Sequence, residues 1–161
     1  MDKEPMTNIG YEKITGELEF LKKKERPETV IALEEARQLG DLKENAEYHS
    51  AKEKLALIDI QMAEIGAVIS KAVIIDPKTL PHTKVSFGST VELVDVNTDE
   101  EFKYAIVGGV ESNADNGLIS FNSPLAKQLL GKEEGDEIKA MLPGGVKTFE
   151  VLSVGYEELK I

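Results

Sequence analysis

The stretch GDLKENAEYH, residues 40–49, sets two carboxylates, Asp41 and Glu44, three positions apart just after a glycine. Asp-x-x-Glu has an ordinary structural use, the capping box, in which Asp accepts backbone N–H bonds and Glu reaches back to the start of the helix. It also has a chemical use. Mg²⁺ prefers six oxygen ligands and keeps several of them as water, so two carboxylates are too few for a self-sufficient site. They can complete a site that another macromolecule half-supplies. In two-metal phosphoryl chemistry one ion activates the attacking water and the other steadies the leaving oxygen. The two uses are compatible, because a helix N-terminus favours ionised carboxylates and a capping oxygen retains acceptor capacity.

The elements on either side decide where this pair is carried. Thr7 is a candidate N-cap, followed by Tyr11, Ile14, Leu18 and Leu21 at helical spacing. Pro27 interrupts that helix or begins a new turn. Val30, Ile31, Leu33 and Ala36 resume the apolar pattern, and Gly40 is a good stop. Beyond the acidic stretch, Tyr48, Ala51, Leu55, Ile58, Met62, Ile65, Ile69 and Ala72 alternate steps of three and four, the narrow seam of a coiled coil. Residues 7–72 are therefore expected to form an antiparallel α-hairpin with Asp41 and Glu44 at its distal turn. The pattern changes after Asp76-Pro77, so residues 1–75 and 76–161 are separate domains, with 74–83 as the linker.

The second half reads as a compact α+β domain with an antiparallel sheet. Strands are expected at Val91–Val96, Phe102–Val107, Leu118–Phe121, Ile138–Leu142 and Lys147–Val154. Ser123-Pro124 opens a short helix that Gly131 closes. Phe87, Phe102, Tyr104, Phe121, Phe149 and Tyr156 sit in strand patterns that suit a core.

Composition excludes several classes. The 161 residues are 41% hydrophobic and 30% charged, the balance of a globular protein. No apolar run is long enough to span a membrane, and Met1–Gly10 lacks a signal-peptide core. Cysteine is absent, which removes disulfides, thiol nucleophiles and Cys-ligated zinc. The cytoplasm is the expected location. A formal net charge of −11 is the wrong sign for a general nucleic-acid binder and favours basic partners or cation sites. His49 and His82 lie in different halves without a matching ligand set, so neither a zinc site nor a Ser-His-Asp triad is supported. The basic run Lys22, Lys23, Lys24 and Arg26 is interleaved with Glu25 and Glu28 and reads as a solvated face.

GDLKENAEYH, the long hairpin, ISFNSPLAKQLLGKEEGDE and PGGVKTFEV, in this order over residues 6–156, resemble the Gre family of bacterial transcript cleavage factors. The acidic balance and LKENAEY resemble the GreA branch more than the basic GreB branch. The resemblance implies a coiled coil that enters the secondary channel of bacterial RNA polymerase and an FKBP-like domain that docks at the channel rim. It implies an accessory role rather than an enzyme: the polymerase cleaves the 3′ end of backtracked nascent RNA, and the tip assists. Asp41 and Glu44 would then be the catalytic contribution, holding a Mg²⁺ shared with polymerase. Leu42, Lys43 and Asn45 would shape the tip or touch polymerase. Arg37 and Lys52 are candidates for RNA contact, with pairing to nearby Glu residues as the ordinary role. Asn122, Ser123 and Pro124 would dock at the rim. No membrane is involved, and the chain is expected to be a monomer. Two other readings remain: a prolyl isomerase with a chaperone arm, and a channel-binding inhibitor that does not promote cleavage.

Overall fold

The computed structural model describes residues 2–41 and 45–161. The chain divides into two compact units, Glu12–Lys71 and Met1–Tyr11 with Ala72–Ile161. Division at residue 75, expected from the sequence, assigns the N-terminal residues and Ala72–Ile75 to the hairpin. Here they group with the sheet.

In the helical unit, α1 (Asn8–Phe20) passes through a π-helical turn, Leu21–Glu25, into α2 (Arg26–Arg37). Pro27 accounts for the turn. Proline has no N–H for the residue four back, and its ring crowds that carbonyl. The Arg26 N–H donates to the Leu21 carbonyl, five residues back, so the ladder has already widened when Pro27 enters it. The helix continues through the proline, and the interior stripe slips by one residue. Ile14, Leu18 and Leu21 face inward as expected, then Thr29, Leu33 and Ala36. Val30 and Ile31, expected to be inside, are 40% and 58% exposed.

The second arm, α3 (Ala46–Lys71), is about 39 Å long at 1.5 Å per residue. Its seam follows the sequence closely: Tyr48, Ala51, Leu55, Met62, Ile65 and Ile69 are half-buried and Ile58 is fully buried. Arg26 Nε donates to Asp59 Oδ1 at 2.8 Å across the pair, and the end of α2 meets the start of α3, so the two run antiparallel.

In the other unit, β1 (Glu4–Thr7) pairs parallel with β2 (Ala72–Ile75), from Glu4 opposite Ala72 to Thr7 opposite Ile75. The main sheet contains β3 (Thr90–Asp95), β4 (Glu101–Val107), β5 (Leu118–Ser120), β6 (Glu137–Leu142) and β7 (Gly145–Gly155). Its spatial order is β5-β4-β3-β7-β6. The β3–β4 and β6–β7 neighbours are hairpins, and β3 also pairs antiparallel with β7. The expected all-antiparallel sheet is corrected at one edge, where β4 and β5 run parallel. Parallel neighbours need a crossover rather than a tight turn. The segment between them supplies it with two short 3₁₀ turns, Gly109–Glu111 and Ala114–Asn116. The short helix α4 (Pro124–Leu129) buries Leu125, Ala126 and Leu129 among Val91, Leu93, Ile106, Ile138, Phe149 and Val151. Burying each such side chain is worth about 1.5–3 kcal/mol, which makes this cluster the main support of the unit.

Candidate functional site

The distal turn of the hairpin begins where α2 runs out. Gln38 and Leu39 form the last turn, and Gly40 takes φ +119°, a conformation that side chains resist and glycine permits. Asp41 follows, exposed in the loop. Leu42, Lys43 and Glu44 lie outside the described residues.

The loop closes at Asn45, whose side chain uses both ends of its amide. Oδ1 accepts from the Tyr48 N–H at 3.1 Å and so caps α3, while Nδ2 donates to the Ala36 carbonyl in the last turn of α2 at 2.5 Å. One half-buried residue thus ties the two helix ends together at the base of the acidic loop. The cap of α3 is Asn45, whereas the Asp-x-x-Glu pattern had pointed to Asp41. The Asp41 carboxylate therefore stands four residues outside the helix.

The flanking cations differ from a preformed phosphate clamp. Arg37 Nη1 lies 3.7 Å from Glu34 Oε2, with both side chains more than half exposed, a contact of little energetic weight. Lys52 is exposed on the next turn but one of α3, and the His49 ring meets Tyr48 edge-on at 5.5 Å. The basic run is a solvated face, as its interleaved acids suggested. Lys23 pairs with Glu19 at 2.6 Å, Lys24 sits over the Phe20 ring at 5.8 Å, and Arg26 is taken up by Asp59.

In the sheet unit, Ser123 Oγ accepts from the Ala126 N–H at 3.2 Å, Pro124 occupies the first turn of α4, and Asn122 and Pro124 are exposed. The loop is built by ordinary capping and still presents two of its three residues to solvent. His82, unassigned by sequence, pins the linker. Its Nε2 is 2.6 Å from the Pro77 carbonyl and its Nδ1 is 2.6 Å from Ser89 Oγ. Ser89 is fully buried, so this His–Ser contact is no nucleophile pair. Phe149 lies in the core with Phe102 edge-on at 5.9 Å and Tyr104 stacked on Phe102, leaving these rings in sheet packing rather than around an isomerase pocket.

Sequence reasoning missed a second polar cluster. Glu111, 6% exposed, turns its carboxylate onto the junction of β1 and α1. Oε1 accepts from the Thr7 N–H at 2.8 Å and the Gly108 N–H at 3.2 Å, and Oε2 accepts from the Thr7 hydroxyl. That hydroxyl in turn accepts from the Gly10 N–H at 3.0 Å, confirming Thr7 as the cap of α1. The available signals were Thr7 itself and the glycines Gly10 and Gly108, each placed where a side chain would collide with the carboxylate.

A long helical pair with an acidic turn, joined to a small mixed-sheet domain, defines the class. The family model described as transcription elongation factor, N-terminal, matches residues 4–74, and the one described as transcription elongation factor, GreA/GreB, C-terminal, matches residues 80–156. The chain belongs to the GreA/GreB family of transcription elongation factors. Within it, the chain is 76% identical to transcription elongation factor GreA of Aliarcobacter butzleri over the full length of both proteins. It is 57% identical to GreA of Nautilia profundicola, over 99% of this chain and 98% of that one. Among solved structures, a GreA factor homolog of Thermus thermophilus is 27% identical over 94% of this chain and 98% of its own, with a TM-score of 0.44.

Proposed function

We propose that this chain is an accessory factor of bacterial RNA polymerase that lends tip carboxylates to the polymerase active site. The helical arm enters the secondary channel, and the polymerase then cleaves the 3′ end of backtracked RNA so that synthesis resumes. The observation that carries the reading is the base of the tip. Asn45 closes the loop between α2 and α3 while the Asp41 carboxylate stays exposed outside both helices.

The donor chemistry fits the ion. Asp41 offers a hard oxygen of the kind Mg²⁺ takes, and Glu44 is the second carboxylate of the motif. A shared site, completed by polymerase, is the arrangement this donor set suits. Mg²⁺ there would supply charge neutralisation and an activated water. This chain's own residues have simpler duties: Asp41 and Glu44 bind and orient, and Asn45 keeps the loop from opening. In this reading Arg37 and Lys52 would meet RNA phosphate, and Asn122, Ser123 and Pro124 would meet the channel rim. The chain acts in the cytoplasm as a monomer and performs no chemistry without polymerase.

The test is a stalled elongation complex carrying labelled RNA, supplied with Mg²⁺ and the purified protein. Short 3′ fragments should appear when factor and polymerase are both present, and the residual transcripts should extend again on addition of nucleotides. Unaltered transcripts at saturating factor would sink the reading.

A further inference from the structure

We propose that an apolar cleft in the helical unit is a docking site for an amphipathic helix of a partner protein, one with an apolar ridge and basic residues on both flanks. The cleft lies between α1 and α3 and has a volume of about 680 Å³. From α1 it takes Lys13, Gly16, Glu17 and Phe20, whose spacing places them on one face of that helix. Leu21 and, from α3, Ile65 complete its apolar part. Leu21 is buried and Ile65 half-buried, whereas Phe20 keeps 49% of its surface exposed. Leu57, 60% exposed, stands seven residues before Glu64 and continues the α3 wall along the same stripe. A trough that is apolar along its floor and open to water is the kind of groove that receives one face of an amphipathic helix.

Gly16 bears on how closely the occupant approaches. Apart from proline, glycine is the poorest residue for a helix interior, and Gly16 sits well inside α1. A Cβ there would meet nothing within 4 Å, so the chain's own packing does not require the glycine. Bare backbone on the wall of an apolar cleft admits close approach from outside. The rim charges then select the occupant. Glu17 stands on the α1 wall and Glu64 on the α3 wall; both are exposed, and neither forms an ion pair with a described residue. Among the described residues of the lining, Lys13 is the one cation. An acid on each wall complements a helix with Lys or Arg on both flanks. A second copy of this chain is the poorer fit, because two chains of net charge −11 repel.

The test uses the full chain and fluorescently labelled peptides of about 18 residues, about 27 Å long when helical. One peptide carries leucines at helical spacing flanked by lysines, and its counterpart has glutamates in place of the lysines. Fluorescence anisotropy should show the lysine peptide binding wild-type protein about tenfold more tightly than the glutamate peptide. Gly16→Leu should weaken that binding about tenfold by filling the cleft. Its urea midpoint should stay at or above that of wild type, because leucine is the better helix former. Reversing both rim acids, Glu17→Lys with Glu64→Lys, should invert the preference between the two peptides although the chain as a whole remains acidic. Equal binding of the lysine peptide by wild type and Gly16→Leu would place it elsewhere and overturn the docking site. A preference that fails to invert in the charge-reversed variant, or no binding of the lysine peptide to wild type, would also overturn it. Self-association of the wild-type chain in sedimentation, abolished by Gly16→Leu, would make a second copy the occupant and overturn the basic helix.

Discussion

Asp41 and Glu111 are carboxylates of the same chain held in opposite ways. Asp41 sits in solvent past the end of α2, outside the helix that the neighbouring Asn45 caps. Glu111 is buried, and every described donor around it belongs to the main chain or to Thr7. A buried carboxylate that accepts three hydrogen bonds from its own unit is committed to the fold. An exposed one contributes little to folding. Glu111 is thus tied into the sheet unit, whereas Asp41 is the acid that the proposed function would put to use.

The sharpest way to break this contrast is to neutralise each carboxylate or its support. Asp41→Asn should leave the unfolding transition unchanged and reduce cleavage stimulation by roughly 100-fold, the upper range for loss of a group supporting a metal. Binding to polymerase should persist, measured by competition with wild-type factor. If binding falls in parallel with cleavage, Asp41 is a docking group and the contrast loses its chemical half.

Thr7→Val does the reverse. It removes the hydroxyl shared by Glu111 and the Gly10 N–H, leaving one buried donor and one carboxylate oxygen short of a partner. The cost should be about 2 kcal/mol, the usual penalty for orphaning a buried polar group. Urea unfolding followed by a probe in the sheet unit measures it. A change below about 0.5 kcal/mol would mean that the cluster is decorative.

Much of this arrangement was legible in the sequence, and the omissions have physical causes. The seam of α3 was readable residue by residue because a 3–4 alternation has one solution on an uninterrupted helix. The stripe of α1 and α2 was readable only as far as Leu21. Pro27 announced a disturbance, but its resolution as a π-turn, which turns Val30 and Ile31 outward, depends on packing and not on local preference. Hairpin strands were found because their partners are neighbours in sequence. The parallel pairs β1–β2 and β4–β5 join segments with no shared turn and left no local signature. At the tip, the acidic loop was visible, whereas its cap was assigned to Asp41 on pattern and belongs to Asn45. Glu111 was invisible for a plain reason: a lone Glu after two glycines looks like surface.

The proposed rim contact sharpens the comparison on the binding side. Pro124 is exposed in the first turn of α4, where an acidic residue is favoured by the helix dipole. Pro124→Glu should therefore fold normally. It should weaken association with polymerase about tenfold, the effect of losing one strong interface contact. The maximal cleavage rate at high factor concentration should recover fully. Unchanged affinity would remove Pro124 from the interface.

The smallest effect belongs to the exposed extreme of the series. Lys23 and Glu19 stand 2.6 Å apart on the helical unit with side chains 73% and 54% exposed. The hydrogen bond to Glu19, then its charge, raises Lys23 above its ordinary value of 10.5, and the same bond to Lys23 lowers Glu19 below 4.5. A raised lysine contributes below 10.5 and is lost as pH climbs through its folded value. A lowered glutamate contributes above 4.5 and is lost as pH drops through its folded value. Any benefit is thus confined to the span between them, where both groups are charged and water screens them fully. Lys23→Ala should consequently unfold at the wild-type urea midpoint at pH 7, in low or high salt. A salt-sensitive loss of stability would show that this pair is coupled to others on the helix face, and that exposure alone does not determine how much a charged contact contributes here.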